Sequence, residues 1–296
     1  MVASVDVSGW EPAGEEQLGT KPKQWLRDEA GRLWLWKEAT FNTDQDGRPY
    51  RKGDDWSEFA AGRLGRCLGV AVAIVELATR GDTAGVISRK VLAEEEALIH
   101  GNELLAGPTT DDPHDRTGYT LEAVRAVLDG VGPPAQRDGM TTAFDWFAGY
   151  LVLDCLVGNT DRHQDNWAVI RGPAGRRLAP SFDHASCLGF LLSDQRRGSH
   201  LTTADRNRTV AAYARRAASK FAGRPSLVRA AVDALAMAST GARQRWIAAV
   251  ESAPELSGIL VNVPEDRMGE TAKRFAASLY RENRELLSQA VSRMAP

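Results

Sequence analysis

Cysteine is scarce in this chain of 296 residues: Cys67, Cys155 and Cys187 are odd in number and widely spaced. They offer no disulfide framework and no Cys-x-x-Cys metal site. Each stands among apolar neighbours, so buried small hydrophobes in a reduced, cytoplasmic protein are expected. Long apolar runs are also missing, none approaching the roughly 18 to 20 residues that span a bilayer. The opening "MVASVDVSGWEP" has neither the basic n-region nor the apolar h-region of a signal peptide. Charge of one sign is absent too. With 37 Lys+Arg against 39 Asp+Glu the formal net charge is −2, so no global basic field recruits nucleic acid or an anionic membrane. There is no internal repeat or low-complexity block. What remains is an ordinary globular composition, 43% hydrophobic and 26% charged, long enough for one large domain or two lobes.

The two parts of the chain differ in character. "KQWLRD", the turn "EAGR" and "LWLWKEA" read as a hairpin with alternating side chains. "DDWSEFAAGRLGRCLG" supplies an N-cap Asp, apolar Trp56, Phe59, Ala60, Leu64, Cys67 and Leu68 at helical spacing, and a stopping Gly69. "VAIVELAT" and "AGVISRKVL" read as two further strands. Pro/Gly/Asp-rich loops follow at residues 107–118 and 130–139. Beyond them Thr142 and Asp145 open a helix to about Val157 with a capping-box pattern, and helical periodicity runs from residue 205 to a last helix near 269–293. The expected fold is α+β in two lobes: residues 1–106 β-rich, residues 107–296 mainly helical. The aromatic run Phe144, Trp146, Phe147 and Tyr150 reads as core. A cleft between such lobes is a usual ligand site.

One stretch is too polar for its surroundings. "GNTDRHQDNW", residues 158–167, joins the apolar "FDWFAGYLVLDCLV" to the apolar "AVI". "NWAVI", "RGPAG" and "RRLAPSFDH" then read as strand, turn, strand, and a hairpin closed at residues 174 and 175 places Asn166 opposite Asp183, about 5 Å apart. Asp161, Asn166 and Asp183 would converge as hard oxygen donors that suit Mg²⁺ rather than zinc. Phosphoryl transfer uses such a set: one Asp takes the proton of the attacking hydroxyl, while an Asn and a second Asp hold the metal. Asp-x-x-x-x-Asn followed by a downstream Asp is the protein-kinase spacing. Lys37, ending a strand, and Glu58, in the following helix, stand in the order in which kinases place the phosphate-binding lysine and its carboxylate partner.

These segments, together with "LGTKPKQWL", "AGVISRKVL", "LIHGNELL" and "LAPSFDHASCLG", resemble the HipA-like kinases. The resemblance runs from about residue 18 to about 205 and is most specific in "NTDRHQDNW" with "SFDH". It implies a protein-kinase-like two-lobed fold and a serine/threonine kinase using ATP and Mg²⁺. Asp161 matches the catalytic base, Asn166 and Asp183 the metal ligands, and Lys37 the ATP lysine. Gly19, Thr20 and Lys21 fall at the family's phosphate loop, and Ile87, Ser88, Arg89, Lys90 and Val91 at the hinge that meets adenine. The chain resembles a short, kinase-core version without the N-terminal subdomain of full-length HipA toxins. "EQLGTKPKQ" has one Gly rather than a G-x-G-x-x-G run, and His184 and Ala185 stand where eukaryotic kinases carry Phe-Gly.

The expected acceptor is a Ser or Thr of a protein, with the chain itself included, and an antitoxin or other regulatory partner fits the family. Direct nucleic-acid and membrane partners are not expected. His163 is open between a second base, a metal ligand and a structural histidine, Asp165 reads as a solvated turn residue, and His184 as a hydrogen-bond partner of the catalytic loop. Arg176/Arg177 and Arg196/Arg197 read as solvated, the second pair being placed to meet an acidic substrate. The alternatives are an aminoglycoside-type small-molecule kinase and a non-catalytic pseudokinase. His114–Asp115 also raises an HD-type phosphohydrolase, but it sits in a loop without further His ligands.

Overall fold

The structure is a computed structural model that describes residues 4–15, 23–105 and 118–294. Period-two alternation builds the first lobe. Strands β1 (Val5–Asp6), β2 (Glu11–Glu15), β3 (Lys23–Arg27), β4 (Leu33–Glu38), β7 (Val75–Arg80) and β8 (Thr83–Arg89) form one sheet in the order β1-β7-β8-β4-β3-β2. A small hairpin, β5 (Phe41–Thr43) with β6 (Pro49–Arg51), leads into helix α1 (Asp54–Leu68). On one sheet face Leu26, Trp34, Trp36 and Ile87 pack with Val7 and Ala78. The other face brings Val75, Leu77 and Val86 against Trp56, Phe59 and Leu64 of α1. Each of these fully buried side chains contributes roughly 1.5–3 kcal/mol. Lys37 follows Trp36, so alternation turns it to the α1 face.

α1 stops at Gly69 as expected, with φ 76°, but its start differs. The residue before it is Gly53 and no side chain caps it; Asp54 instead accepts from the amide and hydroxyl of Thr40, at 3.2 and 2.6 Å. Cys67 also departs from expectation. It lies on the exposed side of α1, whereas Cys155 and Cys187 are buried.

Strand β9 (Ala97–His100) leaves the first sheet and pairs with β10 (Ala168–Gly172), which pairs in turn with β11 (Gly175–Leu178). Residues 97–105, including α2 (Gly101–Leu105), thus pack with the helical lobe rather than with the first lobe, to which a division at 106/107 assigns them. Helix α3 (Leu121–Val127) precedes α4 (Ala143–Val157), which is buried along its whole length. The Thr142–Asp145 capping box is present, with reciprocal bonds of 3.1 and 3.3 Å, and the aromatic run lies in the core. Helices α5 (Asp194–Thr202), α6 (Val210–Arg215), α7 (Leu227–Met237), α8 (Thr240–Glu251), α9 (Ser257–Leu260) and α10 (Glu270–Val291) complete the lobe. Among the described residues no helix is long and apolar enough to cross a membrane.

Arg267 and Ser181 are among the residues that set one lobe on the other. Arg267, buried just before α10, donates to the carbonyls of Ala78 and Gly85 and to Asp55 of α1. Ser181 lies after β11: its amide donates to Ala71 O at 2.8 Å and its carbonyl accepts from Ala73 at 2.9 Å.

Candidate active site

The candidate catalytic loop, residues 158–167, hangs from the end of α4. Gly158 ends that helix in the left-handed region at φ 68°, a conformation glycine adopts without strain. Asn159 then donates to Asp154 Oδ1 at 2.7 Å and accepts the Asp161 amide at 3.0 Å. Arg162, buried, forms a two-point pair with Asp154 at 2.7 and 2.8 Å and donates to the carbonyls of Asn166 and Phe182 and to Ser181 Oγ. One guanidinium therefore ties α4, the 158–167 loop and the segment before Asp183 together, in the bidentate geometry that suits buried arginine.

The hairpin behind the loop is present but shifted from the expected register. Val169 faces Leu178 and Gly172 faces Gly175, which would carry Ser181, not Asp183, opposite Asn166. Ladder contact ends where Ala179 donates to Ala168 O, because Ser181 is taken by Ala71 and Ala73. Asp183 reaches the site by a left-handed turn at φ 57°, which Asp tolerates better than most residues.

Lys37, Glu58 and Asp183 meet there. Lys37 Nζ donates to the two Glu58 oxygens at 3.1 and 3.3 Å and to Asp183 Oδ1 at 3.3 Å. Burial lowers the Lys37 ammonium, but the Asp183 and Glu58 carboxylates outweigh it and hold the group above its ordinary value. Asp183 is held well below the usual carboxylate range, chiefly by Lys37 against burial. Burial pushes Glu58 upward, with Lys37 opposing. Lys23, at the register position of Lys37 on β3, adds a cationic field at both carboxylates.

Asn166 Nδ2 donates to Asp161 O at 2.8 Å, which turns its Oδ1 away from that bond as a free oxygen donor. Among the described residues no group of three or more His, Cys, Asp or Glu is placed to hold a metal alone. The Asn166–Asp183 pair, one neutral and one anionic oxygen donor, fits a hard cation that takes its remaining ligands from phosphate and water.

The two oxygens of Asp161 are both engaged. Lys220 Nζ lies 3.2 Å from Oδ1, and Ser186 Oγ donates to Oδ2 at 3.4 Å. Neither residue was flagged in the sequence, nor were Lys23 and Arg162. Their only chain-local signal is position: Arg162 adjoins Asp161, and Ser186 follows Asp183 by three residues.

The remaining candidates divide. His163 Nδ1 accepts the Asp165 amide at 3.2 Å and lies 3.0 Å from Asp165 Oδ2, so it caps its own turn rather than joining Asp161, Asn166 and Asp183. His184 bonds Ser181 at 2.8 Å and reaches the loop only through Arg162. Of the hinge candidates Ile87, Ser88 and Arg89 are ladder residues of β8, the Arg89 amide donates to Ile74 O and the Lys90 amide to Leu33 O. Lys90 and Val91 lie beyond β8, and Val91 packs on a small apolar cluster of Ala168, Ile170 and Ala179, as Phe182 does. Gly19, Thr20 and Lys21 lie outside the described residues, as do His114 and Asp115.

Comparison with known proteins bears on the family and the fold. A family model described as "HipA-like C-terminal domain" matches residues 17–246. Among solved structures, the Helicobacter pylori proinflammatory kinase CtkA superposes with a TM-score of 0.69 at 18% identity, over 99% of each chain. Hydra Fam20 in complex with sugar gives 0.51 at 12% identity, over 97% of this chain and 87% of that one. A Shewanella oneidensis HipA, solved with HipB and operator DNA, gives 0.49 at 14% identity, over 96% of this chain and 66% of that one. No curated protein matches. The fold is α+β and protein-kinase-like.

Proposed function

The chain belongs to the HipA-like C-terminal domain family, and we propose that it is an ATP- and Mg²⁺-dependent phosphotransferase acting on a Ser or Thr hydroxyl of a protein. The observation that carries this reading is the meeting of Lys37, Glu58 and Asp183 within 3.1–3.3 Å, beside a loop that holds Asp161 and Asn166 on one hydrogen bond.

Asn166 and Asp183 are the residues that would hold Mg²⁺, which would supply positive charge against the nucleotide phosphates. Lys37, fixed by Glu58, presents its ammonium to the nucleotide phosphates. Asp161 orients the acceptor hydroxyl and takes its proton as the new O–P bond forms to the γ-phosphorus. The bond from that phosphorus to the β-phosphate oxygen breaks, ADP being the leaving group. Lys220, paired with Asp161, places a further cation where charge gathers on the transferring group. Val91 and its apolar cluster offer a floor for the base. An antitoxin-type partner stands on the family resemblance alone.

Incubation with γ-labelled ATP and Mg²⁺ tests the reading. Label should pass to an acceptor protein, or to the chain itself, with the wild type and not with Asp161→Asn. A protein that binds no Mg-ATP by calorimetry would exclude it.

A further inference from the structure

Beside Asp161 the structure opens a cavity of about 1070 Å³, separate from the Lys37–Asp183 contact. Its inner end is formed by Thr160, Ser186 and Lys220, which surround the base. It runs outward along α5 and α6 to the tip of the β5–β6 hairpin. Five Arg or Lys side chains line it, Arg196, Arg208, Arg216, Lys220 and Arg224, against two carboxylates, Asp44 and Asp46. This excess is local, because the whole chain carries a net −2.

The two carboxylates are already engaged at home. Asp44 accepts the amides of Asp46 and Arg48 at 2.9 and 2.8 Å, and Asp46 lies 3.9 Å from Arg48. The four arginines differ. Among the described residues none of their guanidinium groups has a carboxylate within 4.0 Å, whereas Arg162, Arg177, Arg197 and Arg229 each have one. The Arg196/Arg197 pair shows the contrast: Arg197 is buried, on Asp194 and the Gly189 carbonyl, while Arg196 is exposed and lines the cavity.

We propose that this cavity is the acceptor groove, and that it selects a protein segment in which the Ser or Thr is flanked by acidic residues. The inference rests on the kinase reading above and names its substrate class. Exposed guanidinium groups without a carboxylate partner along a concave surface attract carboxylates and repel a cationic amino sugar. The hydroxyl of Ser186 on Asp161 Oδ2 marks where an acceptor hydroxyl meets the base.

Fluorescence anisotropy with three labelled peptides of equal length tests it, each with a central Ser flanked by Glu, by Gln or by Lys. The Glu peptide should bind at least tenfold tighter than the Gln peptide, weaken as salt rises, and fall to the Gln level in Arg196→Gln/Arg216→Gln/Arg224→Gln. Mg-ATP affinity and the unfolding temperature of that variant serve as fold controls. With γ-labelled ATP, the same substitutions should raise KM for the Glu peptide at least tenfold. Equal binding of the Glu and Gln peptides overturns the proposal even if label transfer occurs. So does a DNA oligonucleotide of matching charge that binds as tightly as the Glu peptide. If the Glu peptide binds through the three arginines but bound Mg-ATP labels no peptide, the kinase reading falls and the cationic groove stands as a binding site for acidic peptides.

Discussion

Lys220 Nζ stands 3.2 Å from Asp161 Oδ1, a cation supplied to the candidate base by a segment remote from the catalytic loop. The residue two positions after Asp161 is His163, which is occupied with Asp165, so the loop itself sends no ammonium to the transferring group.

Lys220→Met should therefore reduce the rate of label transfer by roughly 100-fold or more, the scale of losing one preorganised charge-stabilising donor. Mg-ATP affinity should change little, because Lys37 and Asp183 are elsewhere. Lys220→Arg should recover part of the rate. A kcat for Lys220→Met within twofold of wild type would make the contact purely structural.

Lys37 bridges Glu58 and Asp183 and offsets their mutual repulsion. Lys37→Met leaves two carboxylates facing each other, so label transfer should be abolished and the unfolding temperature lowered at neutral pH. Acidification should restore part of that stability, because Glu58, already pushed upward by burial, then takes a proton. Glu58→Gln, which keeps an oxygen for Lys37, should be milder in both respects. Calorimetric Mg-ATP titration and thermal melts at two pH values check this; identical melts for Lys37→Met and wild type would contradict it.

Much of this site is legible in the chain because its signals are local. Trp34, Trp36 and Lys37 alternate, so the strand and its two faces follow from sequence. Gly69 and the Thr142–Asp145 pair mark helix ends through chemistry confined to one turn. Asp161 and Asn166 lie on one loop, joined by one hydrogen bond. What escapes is what depends on distant partners. The hairpin register is cut short because Ser181 bonds Ala71 and Ala73, more than a hundred residues earlier. Asp54 looks like a cap, but Thr40 offers it two donors and turns it aside. Of the cavity cations only Arg196 is marked in the sequence; Arg208, Arg216, Lys220 and Arg224 carry no local signal and come to line one cavity only in the folded helical lobe.

Arg162 and Asp154 form a pair in which each side chain is only 2% exposed. Arg162→Met leaves the Asp154 carboxylate buried with Asn159 as its remaining partner, a change that costs about 3–5 kcal/mol. The unfolding temperature should fall on the order of 10 °C for a chain of this size. Adding Asp154→Leu removes the stranded charge and should regain much of that stability. Label transfer should stay low in the double variant, since the Asn166 and Phe182 carbonyls have lost their common donor. Recovery of activity together with stability would show that the clamp does not position the loop.

His184 is 1% exposed, and burial, followed by the Arg162 cation, holds it well below its ordinary value. A neutral ring is compatible with its contacts: Ser181 Oγ accepts from Arg162, and its hydroxyl lies 2.8 Å from His184 Nε2, a distance either neutral tautomer can bridge with one hydrogen bond. The sign of the pH dependence follows. In the unfolded chain the histidine takes a proton below about pH 6.5, while in the folded chain it does not, so the unfolded state binds more protons and stability falls as pH falls. Between pH 7.5 and 5.5 this one group should remove about 1 kcal/mol. His184→Gln, which keeps a hydrogen-bond partner for Ser181 but no titrating ring, should flatten the unfolding temperature over that interval relative to wild type. Parallel pH profiles for the two proteins would show that His184 is protonated in the folded state or that the slope belongs to other groups.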